Sequence, residues 1–160
     1  MITKIISGGQ IGVDVAGLKV AMDLGIDTGG MVPNGWKTLI GPKPSLAKLG
    51  LHEHPTSSNY RDRTEWNVQN SDGTIIFATN FKSSGTKLTI SLCRKYKKPY
   101  FLIDLNDIDS GFIFDVFNFF DQDIKVLNVA GNSGYKNKTT KFLYNKTREL
   151  LYNYISKYNE

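Results

Sequence analysis

The sequence predicts an α/β protein: a three-layer α/β/α arrangement around a mainly parallel sheet of about five or more strands. Apolar, strand-like runs alternate with stretches of helical period at the spacing of βαβ units. Thr74 to Ala78 and Tyr100 to Ile103 are short apolar runs of the kind buried on both faces of a sheet. Three of the predicted strands also end in small or polar turns, at Ser7 to Gly12, Asn80 to Thr86 and Gly131 to Gly134. In a parallel sheet these turns open on one edge, beyond the carboxyl ends of the strands, where ligands bind.

Ile5-Ile6 runs into Ser7-Gly8-Gly9-Gln10-Ile11-Gly12, a strand followed by a tight turn and a helix start. Val13, Ala16, Gly17, Val20, Ala21 and Leu24 then recur at helical spacing until Gly25 stops the helix. Small residues at Ala16 and Gly17 let that helix lie close to a sheet. Thr28 to Val32 reads as a short strand ended by the turn Pro33-Asn34-Gly35. From Trp36 to Ser58 no period is sustained and Pro42, Pro44 and Pro55 interrupt the chain, so the segment reads as a long ordered excursion.

Asn59 is placed to cap a helix running to about Asn70, and Asp72-Gly73 turns the chain into the apolar strand at Thr74. After the turn at Lys82 to Thr86 a second helix follows, with Leu88, Leu92 and Tyr96 on one side and Pro99 closing it. Asp107 to Gly111 reads as a capping or turn region before an apolar helix at Phe112 to Phe120. Val126 to Ala130 is the last strand. The terminal helix turns Leu143, Thr147, Leu150, Leu151, Tyr154, Ile155 and Tyr158 inward.

The 160 residues suit a single domain spanning residues 1–160. The net charge of +5 is dispersed, apart from a small cluster at Arg94 to Lys98, which disfavours a nucleic-acid partner and suits anionic small molecules. A lone cysteine, Cys93, excludes an intramolecular disulfide and reads as a small buried hydrophobe. With no leader pattern and no run approaching about 18 apolar residues, the expected location is cytoplasmic, without membrane contact.

The chemistry concentrates in the turns. A glycine turn entering a helix leaves backbone N–H groups aimed at whatever docks above it, and the helix dipole favours an anion there. Gly8, Gly9, Gln10 and Gly12 form one candidate cradle, though Gly-Gly-x-x-Gly is neither a phosphate-binding Gly-Lys-Ser/Thr loop nor Gly-x-Gly-x-x-Gly. Ser84, Gly85 and Thr86 form a second, with Gly131, Asn132 and Ser133 on its flank. Lys37, Arg61 and Arg63 are candidates for neutralising a bound anion, although Arg61 could equally pair with Glu65 on a solvated helix face. Asp14 either satisfies the dipole of its helix or accepts a hydrogen bond from a ribose, base or pterin edge. His52-x-His54 lacks a third ligand nearby, so no metal site is expected.

Several of these segments together resemble the family of putative molybdenum carrier proteins. They are Ser7-Gly8-Gly9-Gln10-Ile11-Gly12-Val13-Asp14, Thr28-Gly29-Gly30, Pro33-Asn34-Gly35 and Tyr60-Arg61-Asp62-Arg63-Thr64-Glu65-Trp66-Asn67-Val68. Ser71-Asp72-Gly73-Thr74, Gly85-Thr86-x-Leu88-Thr89 and Leu127-Asn128-Val129-Ala130-Gly131 complete the set. The resemblance implies a Rossmann-like fold of the SLOG superfamily, related to the LONELY GUY phosphoribohydrolases and DprA-like proteins. It further implies a homo-oligomer and a phosphorylated ligand, nucleotide or molybdenum cofactor. The chain departs from its relatives at Thr89, which stands where the phosphoribohydrolases carry a catalytic glutamate, and at Gly131 to Gly134, where many carrier-like sequences have a Gly-Pro-Arg-x-Ser-like turn. The expected function is therefore binding or carriage of a phosphorylated small molecule, with no catalytic residue assigned. A nucleotide hydrolase using Glu65 or Asp14, or a sensor contacting nucleotide or nucleic acid through Arg94 to Lys98, are the alternatives.

Overall fold

In a computed structural model of the chain, which describes residues 1–108 and 112–160, the apolar runs form one six-stranded sheet. Its strands are β1 (Lys4–Ile6), β2 (Asp27–Val32), β3 (Leu51–Glu53), β4 (Gly73–Ala78), β5 (Tyr100–Asp104) and β6 (Val126–Gly131). All pairings are parallel, in the order β3-β2-β1-β6-β4-β5. The helices are α1 (Val13–Asp23), α2 (Tyr60–Gln69), α3 (Ser84–Lys95), α4 (Phe112–Phe120) and α5 (Lys138–Asn159). This is the Rossmann-like three-layer arrangement, with α1, α4 and α5 packed together on one face and α2 with α3 on the other.

Numbering the strands from β6 instead of β1 converts the order into 4-3-2-1-5-6, a doubly wound sheet. The winding then reverses between β6 and β4, whose following helices, α5 and α3, leave toward opposite faces. In doubly wound sheets a crevice opens at that reversal.

The two faces are unequal. Beneath α1, α4 and α5 lies the main core, including Val20, Val116, Phe119, Phe120, Leu143 and Ile155. Gly17 lets α1 approach β6 as the sequence predicts, since a Cβ there would lie 2.7 Å from Val129 Cβ. The opposite face has only a small cluster of Val68, Leu92 and Cys93, with Leu88 and Tyr96 against it. The buried polar residues Asn67, Thr74, Thr86, Thr89 and Asn128 belong to α2, α3 and the strands.

The excursion at 36–58 differs from its sequence reading. It contains a 3-10 helix (Pro44–Leu49) and the edge strand β3, which pairs with β2. Three residues give too short a period to be recognised, and it is pairing with β2 that makes them a strand. The 3-10 helix covers a satellite cluster of Leu18, Val32, Leu46 and Leu51. Of the capping turn expected at Asp107 to Gly111, residues 109–111 lie outside the described residues.

Candidate functional site

The strand-end turns enclose a cavity of about 720 Å³. Its wall includes Gly8, Gln10 and Asp14 from the first turn, Ser84, Gly85 and Thr86 from the second, and Gly131, Asn132 and Ser133 from the third. Arg61 and Arg63 reach it from α2. The volume is that of a small-molecule site.

Not every predicted residue reaches this wall. Gly9 faces away, and a Cβ on it would lie 2.8 Å from Leu46 Cδ1, inside the satellite cluster. Gly12 has φ 108°, which a side chain disfavours, and forms an isolated antiparallel bridge with Ser133. It joins the first turn to the third instead of facing the ligand space. Lys37 is exposed; its Nζ donates to the Ser58 carbonyl at 3.4 Å and lies 4.7 Å from the Tyr60 ring centroid.

The first turn is organised around a buried ion pair. Arg63 Nη1 lies 3.7 Å from Asp14 Oδ2, with side chains 14% and 8% exposed. The same carboxylate oxygen accepts the Gln10 N–H at 3.2 Å. Gly8 provides the room: a Cβ there would overlap Nη1 and come within 2.5 Å of Cζ. Burial pushes the Asp14 carboxyl above its usual range, opposed by the Arg63 charge and the Gln10 N–H. Burial likewise lowers the Arg63 guanidinium, opposed by Asp14. Desolvation outweighs the attraction on both sides, as a pair separated beyond hydrogen-bond length allows. Arg63 Nε is buried without a partner among the described residues. A buried cation with unused donors is costly unless an acceptor is supplied from elsewhere.

Gln10 is also tied to the excursion, its Oε1 accepting the Leu39 N–H at 3.1 Å, so that Leu39 joins the wall. At the second turn Ser83 caps α3 in position but makes no side-chain bond to the helix backbone. Thr89 lines the cavity, and its hydroxyl donates to the Gly85 carbonyl at 3.0 Å. Asp14 is the single carboxylate on the wall among the described residues.

Several motifs are absorbed structurally. Glu65 does not pair with Arg61; its carboxylate accepts from the Tyr96 hydroxyl and, at 3.3 Å, from Lys95 Nζ. Those two interactions hold its carboxyl below the usual range. In the basic segment, Lys98 Nζ donates to the Ser71 carbonyl at 2.8 Å and Arg94 Nε to Tyr100 Oη at 3.0 Å. His52 packs edge-on to Trp66, while His54 Nδ1 accepts the Thr56 and Ser57 N–H groups.

Sequence reading missed the part of the wall made by Asn59, Tyr60, Thr79 and Asn128, and by Asn137, Thr139 and Thr140 at the start of α5. Asn128 carried a usable signal, being a polar residue inside an apolar strand. Asn137 caps α5, its Oδ1 accepting the Thr140 N–H at 2.9 Å.

A doubly wound sheet with a donor-rich cavity at its winding reversal defines a Rossmann-like α/β domain. Over residues 5–155 the chain matches the Circularly permutated YpsA SLOG family, and it belongs to that family. A solved structure from Syntrophus aciditrophicus, described as a "Putative molybdenum carrier protein", is similar at 40% identity and TM-score 0.80. The match covers 94% of this chain and 92% of that one. No curated protein matches.

Proposed function

We propose that this chain binds and carries a phosphorylated small molecule in the cavity between its strand-end turns, with molybdenum cofactor as the leading candidate cargo. The observation that carries the reading is the Arg63 guanidinium, 14% exposed on the cavity wall, with a buried Nε that no described group satisfies. An anionic ligand would supply the missing acceptor. Uncapped backbone N–H groups at the start of α3 add donors under a favourable helix dipole. The name of the Syntrophus aciditrophicus relative supports a molybdenum-linked cargo.

Binding is favoured over hydrolysis because the wall presents one carboxylate among the described residues, Asp14, and that group is buried against Arg63. Thr89 has its hydroxyl committed to the helix backbone.

Native mass spectrometry of the protein isolated from its own cells tests the reading. The expected result is a retained phosphorylated compound, which for molybdenum cofactor yields a fluorescent pterin after oxidation. A protein that retains nothing and binds neither inorganic phosphate nor nucleoside monophosphates would refute it. Release of free base from nucleoside monophosphates would favour the hydrolase.

A further inference from the structure

Asn132 lines the cavity, but its amide is already engaged by the protein. Oδ1 accepts the backbone N–H groups of Thr79 at 2.9 Å and Asn80 at 3.0 Å. Those donors have no other orientation to offer, so the amide cannot be flipped and Nδ2 must face the second turn. There one hydrogen goes to the Asn80 carbonyl at 2.9 Å, and the other is shared between Thr86 Oγ1 at 3.1 Å and Ser83 Oγ at 3.2 Å.

The two hydroxyls also bond each other, at 2.9 Å. Each oxygen accepts from Asn132, and one of the two protons is used in the mutual bond. Whichever hydroxyl donates in that bond, the other O–H has no protein acceptor among the described residues and is left to the cavity. Diverting Ser83 into this network also explains why it makes no cap to the α3 backbone.

We infer that Asn132 is a positioning residue: it fixes the polarity of the Ser83–Thr86 hydroxyl pair so that the pair turns its free O–H toward the cavity as a donor, which favours an anionic oxygen cluster such as a phosphoryl group. The inference rests on the phosphate-binding reading of the cavity and assigns Asn132 an action through its neighbours instead of direct ligand contact. Its position at the winding reversal, bridging the ends of β6 and β4, places this hydroxyl pair where the sheet opens.

The test is a double-mutant cycle read by calorimetric titration with inorganic phosphate. Asn132→Asp keeps the acceptor for Thr79 and Asn80 but converts the Nδ2 donor into an acceptor, which turns the hydroxyl protons away from the cavity. In the wild-type background this change should weaken phosphate binding by about tenfold or more, the effect of one charge-assisted hydrogen bond. In a Ser83→Ala, Thr86→Val background, which has no hydroxyl pair, it should weaken binding by clearly less. Equal factors in the two backgrounds would overturn the inference, because added negative charge or a structural lesion acts without the hydroxyls. Melting curves of Asn132→Asp and of the hydroxyl-free chain identify any variant that fails to fold. Should Asn132→Asp be unfolded, the hydroxyl-free Ser83→Ala, Thr86→Val chain still decides: phosphate affinity equal to that of the wild type overturns the inference. A wild-type chain with no affinity for phosphate overturns the binding reading itself, a distinct result from bound phosphate without coupling.

Discussion

Replacing Gly8 by alanine isolates the contribution of the buried Arg63. A Cβ at that position would overlap Arg63 Nη1, lie 2.5 Å from Cζ and sit 3.0 Å from Asp14 Oδ2. The guanidinium is the far end of a flexible side chain, so the backbone stays and Arg63 swings out. What is lost is the attraction across 3.7 Å. That attraction is about 4 kcal/mol at an effective dielectric of about 20. Resolvation of the guanidinium and proton uptake by Asp14 offset it, and the packing that the mostly buried Arg63 side chain gives up leaves a net destabilisation of about 1–2 kcal/mol. For a chain of this size the melting temperature should fall by roughly 2–8 °C. Affinity for inorganic phosphate should fall by about tenfold, since a charge-assisted donor leaves the wall. Thermal unfolding and titration of Gly8→Ala, alone and combined with Arg63→Ala, provide the assay. Unchanged melting and affinity would refute the argument. So would an equal loss in the Arg63→Ala background, where there is no guanidinium to displace.

Asp14→Asn should change how stability depends on pH. The folded chain holds a proton on Asp14 more readily than the unfolded chain, because burial raises its carboxyl despite Arg63. Wild-type stability should therefore decline relative to Asp14→Asn as pH rises from about 4, then run level once the buried carboxyl is ionised. Urea unfolding between pH 4 and pH 8 checks this, and a constant difference across that range would count against it. Asn67→Ala should cost roughly 2–4 kcal/mol, because Asn67 Oδ1 accepts the Met31 N–H at 2.9 Å and Nδ2 donates to the Met31 carbonyl at 3.1 Å. These buried groups lack a ladder partner on the β1 side, where β1 ends at Ile6 and the chain turns. A loss below about 0.5 kcal/mol would show that water replaces the amide.

Legibility in the sequence followed the range of the interactions. The strands at Thr74 and Val126 and the helix with its inward face at Leu143, Leu151 and Ile155 could be read because apolar residues must be buried wherever the chain places them. The small-residue turns could be read because few residues fit them. β3 could not be read, since its three residues become a strand only by pairing with β2. The edge-on packing of His52 with Trp66 and the Glu65–Lys95 pair were equally invisible, being made between segments far apart in the chain.

By itself the sequence determined the α/β class, the alternation of elements and the convergence of glycine turns on one sheet edge, because these depend on local pattern and chain direction. Tertiary structure alone decided which turn residues face the cavity. It turned Gly9 toward Leu46, placed Arg63 over Gly8 and beside Asp14, and bound the Asn132 amide to the second turn. Those outcomes depend on backbone angles and on side chains meeting across the winding reversal between β6 and β4, and no local pattern carries that information.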